Sequence, residues 1–186
     1  MTDLIDVEQQ IWQWLDDVVI GLNLCPFAKK PRANQQIKVF VSNARTDETL
    51  ITDFMDELEF IRDVDPNETD TCVFVIPNML ADFDSYLNYL ALANMTVQQM
   101  GLEGEFQLAS FHPDYQFEDT TPGDKENLTN TAPFPVIHII REATVEKVLK
   151  LYPNPEQIPE NNIARVEALT DEEIDQLYPF LRPPTE

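Results

Sequence analysis

The fold is decided by the segment Cys72-Val73-Phe74-Val75-Ile76, an almost wholly apolar run that predicts a central strand of a sheet. The turn residues Pro66 and Asn67 precede this run, so the strand is expected to begin directly after a change of chain direction. Cys72 is expected to be a small buried side chain within it. The remaining elements must therefore cover this strand.

Helices and strands alternate on both sides of this segment. Apolar residues recur every three or four positions in the predicted helices, and at every second position in the strand at 37–42. Asp82 is the expected N-cap of one helix, and Gly101 is placed to end that helix in the left-handed conformation. The predicted helices cover residues 7–22, 47–61, 83–100 and 144–152, and the predicted strands cover residues 37–42, 72–76, 106–111 and 134–141.

The order strand, helix, strand, helix, strand is typical of βαβ units, in which helices pack on the sheet. We therefore predict an α+β fold, a single domain with a four-stranded mixed sheet. A ferredoxin-like arrangement of two layers is the leading version. A three-layer α/β sandwich is the alternative, because the helix at 7–22 has no assigned place in two layers.

Two regions are distinguished along the chain. Residues 1–152 form the predicted core domain, and its long polar loop at 112–133 is expected to carry function, as long irregular loops in compact domains usually do. Residues 153–186 form a proline-rich C-terminal extension whose short helices are expected to pack on the core. Thr170 and Glu173 predict a capping box at the start of one of them.

The charge of the chain disfavours several classes of partner. It has 12 basic and 34 acidic residues, a net charge of −22, so electrostatic repulsion opposes binding to nucleic acid or to an anionic membrane surface. No apolar run approaches the roughly 20 residues of a membrane span, and residues 1–6 lack the basic start of a signal peptide. We expect a cytoplasmic protein with a small-molecule ligand; the sequence indicates neither a cofactor nor an oligomeric state.

Recognised catalytic motifs are missing from the sequence. Only four glycines occur in the chain, which excludes the glycine-rich phosphate loops and the dinucleotide fingerprint. There is no H-E-x-x-H, paired C-x-x-C or G-x-S-x-G motif, so neither a zinc site nor a hydrolase is indicated. The reactive side chains that remain are Cys25, His112 and His138.

Cys25 is a candidate nucleophile at the end of the first helix. A third of all basic residues follow it within fourteen positions, namely Lys29, Lys30, Arg32 and Lys38. Positive neighbours would stabilise a thiolate and attract an anionic substrate, whereas the C-terminal end of a helix opposes ionisation. The alternative is a packed thiol at a helix end, with the basic residues solvated at the surface.

The two histidines have different predicted settings. His112 ends the third strand and opens the long loop, where binding side chains are often presented; a capping or turn role is the alternative. His138 lies inside the last strand and shares a face with Val136 and Ile140. Because both faces of that strand are apolar, His138 is expected to be largely buried, either as a core hydrogen-bonding residue or as a base.

Three separated motifs carry a resemblance to a known family. They are Gly21-Leu22-Asn23-Leu24-Cys25-Pro26-Phe27-Ala28-Lys29, then Ala109-Ser110-Phe111-His112-Pro113-Asp114-Tyr115-Gln116-Phe117, then Asn127-Leu128-Thr129-Asn130 with Pro133-Phe134-Pro135 and His138-Ile139-Ile140-Arg141-Glu142. From Trp12 to Val148 the chain resembles the bacterial family called "domain of unknown function 1415". That family has no assigned activity, so the resemblance implies positions and not a reaction.

The resemblance implies one pocket assembled from three segments. Besides Cys25, His112 and His138, the matching residues that would bind a substrate are Asn23, Lys29, Asp114, Tyr115, Asn127, Asn130, Arg141 and Glu142. The chain reads Asn130-Thr131-Ala132-Pro133 where the family pattern has Asn-Arg-Ser-Pro. If that arginine binds an anion in relatives, Arg45 or Lys30 would replace it here.

Three functions stay open at this point. The first is an enzyme acting on a small polar or anionic metabolite, with Cys25 as nucleophile, His112 or His138 as base and Asp114 or Glu142 orienting the imidazole. The second is a non-catalytic module that binds a metabolite or a protein. The third is a metal site built from His112, His138, Cys25 and a carboxylate.

Overall fold

The computed structural model of the chain describes residues 4–181. Residues 1–3 and 182–186, which begin the predicted core domain and end the predicted extension, lie outside the described residues. The strands are β1 Ile37–Val41, β2 Thr71–Val75, β3 Phe106–Phe111 and β4 Val136–Arg141. The α-helices are α1 Leu4–Trp14, α2 Lys29–Ala33, α3 Asp47–Asp63, α4 Phe83–Gln99, α5 Glu142–Leu149, α6 Ile158–Glu167 and α7 Asp171–Leu177.

Shorter helical segments complete the description. A π-helical segment, Leu15–Ile20, continues α1 without a break. The 3₁₀ helices are Lys125–Asn130, Pro155–Gln157 and Pro179–Leu181. The first of these lies inside the polar loop at 112–133, so that loop contains regular structure of its own.

The four strands form one mixed sheet in the order β1-β2-β4-β3. β1 and β2 are parallel and are connected by α3, whereas β4 runs antiparallel to both of its neighbours, β2 and β3. β2 is buried along its whole length, as its apolar sequence predicts. The predicted α+β fold with a four-stranded mixed sheet is confirmed.

Helices cover both faces of the sheet. Alternate residues of β2 belong to two cores: Phe74 packs in the core that includes residues of α3 and α4, and Val73 packs in the core that includes residues of α1. The ferredoxin-like version with two layers is therefore replaced by three layers. The physical reason is the apolar stripe of α1, which includes Val7 and Ile11 and requires the second face of the sheet to be buried.

The C-terminal helices contact the layer that contains α1. Tyr178, after α7, is buried and donates its hydroxyl hydrogen to the Leu128 carbonyl oxygen at 3.1 Å. Asn162 of α6 donates from Nδ2 to the Leu24 carbonyl oxygen at 2.7 Å. The division of the chain at residue 152 stays a prediction.

Helix ends follow the capping residues that the sequence predicts. Asp82 accepts a hydrogen bond from the Ser85 amide at 2.8 Å, and Gly101 has a φ of 72° after α4. Thr170 and Glu173 form the predicted capping box at the start of α7. None of the helices within residues 4–181 is long and apolar enough to cross a membrane.

The Tyr86 side chain connects α4 to the end of the paired strands β3 and β4. Removing its hydroxyl group tests this connection. Its buried hydroxyl donates to the Val136 carbonyl oxygen at 2.7 Å and accepts from the Phe111 amide at 3.1 Å. Tyr86→Phe removes both hydrogen bonds, each worth about 0.5–1.5 kcal/mol, so we expect a loss of about 1–3 kcal/mol in the free energy of unfolding, measured with urea.

Tyr89→Phe is the matched control for this experiment. The Tyr89 hydroxyl is on the same helix but makes a single hydrogen bond, to the Leu50 carbonyl oxygen at 3.1 Å. The expected loss is about 1 kcal/mol or less, because one buried backbone group is affected. Equal losses in the two variants would contradict a bridging role for Tyr86.

Candidate functional site

A cavity of about 240 Å³ lies between the sheet and the layer that contains α1. Its floor consists of side chains from all four strands, and its walls come from α1, the π-helical segment and residues 24–31. Residues of α5 and α6 also border it. Most of the lining residues are apolar, and the polar ones are Asp70, Thr71, Gln107, Thr129, Asn130, His138, Thr144 and Asn162.

The strand register places His138 in the middle of the cavity floor. His138 is paired with Val73 of β2 on one side and with Ala109 of β3 on the other. Both neighbours line the cavity, and the small Ala109 leaves space beside the imidazole. The expected face, shared with Val136 and Ile140, is confirmed because all three residues line this cavity.

The hydrogen bonds of Thr71 assign the tautomer of His138. The Thr71 hydroxyl donates its hydrogen to the Ile139 carbonyl oxygen at 2.7 Å. It therefore accepts from Nε2 of His138, which lies 2.5 Å from Oγ1. Within residues 4–181 no group is hydrogen-bonded to Nδ1, which carries the free lone pair of the neutral ring.

Burial keeps the His138 imidazole uncharged. Desolvation lowers the pKa of His138 from 6.5 to about 4, because burial penalises the charged form of the ring. At neutral pH the ring is thus a hydrogen-bond acceptor at Nδ1 and a weak base.

Asp70 and Thr144 form a polar corner of the same cavity. The Thr144 hydroxyl donates to Oδ1 of Asp70 at 2.7 Å, and both residues line the cavity. The position of Asp70 is set by its backbone, since its amide donates to the Gln36 carbonyl oxygen at 2.8 Å. Among the described residues that line the cavity, Asp70 is the one that carries a formal charge.

The π-helical segment directs Cys25 toward the cavity. The amides of Leu24 and Cys25 both donate to the Val19 carbonyl oxygen, at 2.9 and 3.3 Å. Gly21 is required in this turn, because a Cβ atom there would collide with the carbonyl oxygen of Asp17. The Cys25 side chain consequently lines the cavity wall.

The Cys25 thiol is protonated in this setting. Burial raises the pKa of Cys25, and hydrogen bonds from the amides of Phe27 and Ala28 offset this effect only in part. Cys25 and His138 border one cavity, but each is in its neutral form. Cys72, the other cysteine, is buried on the opposite face of the sheet.

His112 lies outside this cavity, so its predicted partnership with Cys25 needs correction. It is fully buried against Phe83 and Tyr86 on the α4 side of the sheet. Its Nδ1 accepts from the Asp114 amide at 3.0 Å, and its Nε2 donates to the Leu80 carbonyl oxygen at 2.9 Å. Both ring nitrogens are thus engaged in holding the chain after β3.

The other predicted binding residues are distributed among several places. Asn130 lines the cavity. Asp114, Tyr115 and Asn127 border a separate groove beside the N-terminal end of α4 and residues of α7. The prediction of a single pocket is therefore corrected: of the predicted residues, Cys25, Asn130 and His138 line the cavity.

Asn127 and Arg141 each have a structural role. Asn127 accepts from the Phe117 amide and the Thr120 hydroxyl, so it organises the polar loop. Arg141 caps the end of α3 on the opposite face of the sheet, through the Ile61 and Val64 carbonyl oxygens. The remaining predicted residues are Asn23, Lys29 and Glu142, which do not line the cavity.

The basic residues after Cys25 do not converge on the thiol. Arg32 forms two hydrogen bonds to Asp16, at 2.7 and 2.8 Å, and Lys38 pairs with Glu57 of α3 at 2.7 Å. Neither Lys30 nor Arg45, the suggested replacements for the family arginine, lines the cavity. Within residues 4–181 no Lys or Arg lines the cavity, so an anionic ligand has no counter-ion there.

The metal hypothesis receives no geometric support from the described part of the chain. Within residues 4–181 no group of three or more His, Cys, Asp and Glu side chains is placed to hold a metal ion. His112 and His138 lie at different sites, with only His138 lining the cavity.

Residues 6–176 match the family model described as "Protein of unknown function (DUF1415)". The chain belongs to this family. The match includes every residue that lines the cavity of this DUF1415 protein, from Trp14 to Asn162. A comparison of the chain with curated proteins found no match, and a comparison with solved structures found none either.

Sequence reasoning missed the polar residues that surround His138 in this DUF1415 protein. Thr71 precedes the apolar run by one position, and Asp70 lies directly before it. Their position in the cavity that contains His138 depends on the antiparallel β2–β4 register, which places Thr71 opposite Ile140. The signal available in the sequence was the pair of polar residues, Asp70 and Thr71, at the start of a buried strand.

The low pKa of His138 predicts a pH dependence of stability. Between pH 7.5 and 5 the unfolded chain takes up a proton that folded His138 excludes, so the free energy of unfolding falls by about 2 kcal/mol as the pH is lowered. His138→Gln, which cannot titrate, is expected to remove this part of the decrease. Urea denaturation at the two pH values measures it.

His112→Gln is the matched variant, because burial also lowers the pKa of His112 and its contribution has the same sign. The carboxyl groups with lowered pKa values, such as Asp16 and Asp82, stay ionised throughout this pH range. A His138→Gln variant that loses as much stability on acidification as the wild type would contradict the assignment.

Proposed function

We propose that this DUF1415 protein binds a small, mainly apolar molecule in the cavity between the sheet and α1. The observation that carries the proposal is the cavity itself, about 240 Å³ in volume and lined mostly by apolar side chains. A cavity of ~150 Å³ is sufficient for benzene, and pockets for larger ligands begin at about 300 Å³. The expected ligand is therefore somewhat larger than benzene.

The apolar walls of the cavity favour a binding role. The cavity is partly open to solvent, so a molecule can enter it. A ligand that covers the apolar walls removes them from water, which contributes roughly 25 cal/mol per Å² of apolar surface.

The polar corner supports a ligand-binding site over a simple packing defect. Asp70, Thr144 and His138 form a polar region in a cavity whose other walls are largely apolar. Binding sites commonly combine an apolar surface with a few polar groups that orient the ligand. A ligand with an apolar body and one polar group matches this distribution.

Catalysis by a thiol is the second candidate, because Cys25 and His138 line the same cavity. A nucleophilic cysteine must ionise, and burial raises the pKa of Cys25. The base that would remove its proton is weak, since burial lowers the pKa of His138 to about 4. Non-catalytic binding is consequently the better supported function.

Filling the cavity tests the binding function. We expect ethylbenzene to shift the amide NMR signals of Val73, Val136 and His138, which line the cavity floor. Ala109→Leu adds apolar volume beside the imidazole and is expected to weaken ethylbenzene binding at least tenfold. The dissociation constant is measured by titration at pH 7.5.

Ala143→Leu is the control, because Ala143 is exposed on α5. If Ala109→Leu does not fold, Val145→Phe fills the same cavity from α5. Ethylbenzene that binds neither protein, or binds the filled variant as tightly as the wild type, would overturn the proposed site.

The reactivity of Cys25 decides between binding and thiol catalysis. In a Cys72→Ala background, iodoacetamide is expected to alkylate Cys25 slowly at pH 7 and faster as the pH rises beyond 9, because burial raises the pKa of the thiol. Mass spectrometry follows the modification. A rate that reaches its plateau by pH 7 would favour the nucleophile function instead.

A further inference from the structure

Nδ1 of His138, at the centre of the cavity floor, can only accept a hydrogen bond while the ring is neutral. The Thr71 hydroxyl has one hydrogen, and the Ile139 carbonyl oxygen receives it at 2.7 Å. His138 must therefore keep its own hydrogen on Nε2, where Oγ1 of Thr71 accepts it. As a result Nδ1 is an acceptor, and it cannot donate unless the ring becomes charged.

The polar corner of the cavity also presents an acceptor. Asp70 uses Oδ1 to accept the Thr144 hydroxyl at 2.7 Å. Within residues 4–181 its second oxygen, Oδ2, has no hydrogen-bond partner and is not fully buried. Since the hydroxyl hydrogens of Thr71 and Thr144 are both engaged, this corner offers acceptors and no hydroxyl donor.

The electrostatic environment of the corner has a negative sign. Asp70 carries a formal charge, and the described residues that line the cavity include no Lys or Arg. Arg141, which lies outside the cavity, interacts electrostatically with Asp70 and compensates part of this charge. The chain as a whole has a net charge of −22, so its field attracts cations and repels anions. A protonated amine matches this environment best, and a carboxylate matches it least.

We propose that the ligand is a small amine or alcohol with an apolar body. The ammonium group of an amine donates to Nδ1 of His138 and to Asp70, whereas an alcohol donates its single hydroxyl hydrogen to Nδ1 of His138. An amine is preferred to an alcohol, because Asp70 supplies a counter-ion. This inference rests on the proposed binding function and specifies the class of ligand.

Four probes of similar size separate the possibilities: ethylbenzene, benzyl alcohol, benzylamine and benzoate. The first three have the same number of non-hydrogen atoms, so differences in affinity report the polar group. At pH 7.5 we expect benzylamine to bind at least tenfold more tightly than ethylbenzene and benzyl alcohol to be intermediate. Benzoate is expected to bind most weakly. Isothermal titration and NMR titration measure the four dissociation constants.

Variants connect the preference to named atoms. His138→Leu removes the acceptor and is expected to reduce the affinity for benzyl alcohol and benzylamine at least fivefold while ethylbenzene binding is retained. Asp70→Asn removes the charge and is expected to reduce the preference for benzylamine over benzyl alcohol. Glu68→Gln is its control, because Glu68 is exposed in the turn before β2 and the change in net charge is the same.

The outcomes distinguish this inference from the function on which it rests. If ethylbenzene binds as tightly as benzylamine and benzyl alcohol, or if benzoate binds most tightly, the donor class is wrong while the cavity remains a binding site. If none of the four probes binds, the binding function itself fails. A preference for benzylamine that is unchanged in both His138→Leu and Asp70→Asn would also overturn the assignment.

Discussion

The burial of β2 on both faces is the constraint on which the rest of the fold depends. Its side chains alternate between two cores, with Cys72 and Phe74 on the α4 side and Val73 and Val75 on the α1 side. One helical layer cannot bury such a strand, because the second apolar face would remain in water. α1 and the C-terminal helices supply the second layer, and the cavity is the space that this layer leaves above the sheet.

The hydrogen-bond patterns of the two histidines indicate a structural role for His112 and a binding role for His138. His112 has partners for both ring nitrogens and lies in a closed aromatic environment, which accounts for a histidine there without any ligand. Within residues 4–181 the His138 ring has a hydrogen-bond partner for Nε2 alone, and it lies in the central row of a mainly apolar floor. Apolar packing would be better served at that position by Val or Ile, so the free Nδ1 is the feature that requires a functional explanation.

The elements of this fold could be predicted from local sequence, whereas the site could not. The period of the strand at 37–41, the caps Asp82 and Gly101, and the face of β4 that contains His138 depend on neighbouring residues and were predictable. The insertion of β4 between β2 and β3 depends on contacts between residues far apart in sequence. That insertion places Thr71 next to His138. His112 packs against Phe83 and Tyr86 on the α4 side of the sheet, away from the cavity that Cys25 lines. Because a pocket is defined by such contacts, the motifs identified three of its residues but not its boundary.

The charge pattern that first suggested an anionic ligand is explained by packing within the fold. A chain with a net charge of −22 has few cations, and each one is most stabilising where acidic elements come together. Arg32 of α2 pairs with Asp16 of the π-helical segment, and Lys38 of β1 neutralises the largely buried Glu57 of α3. These cations are engaged before any ligand arrives. The polar groups that we assign to ligand binding are therefore the neutral imidazole of His138 and the Asp70 carboxylate elsewhere on the cavity wall, and both accept hydrogen bonds.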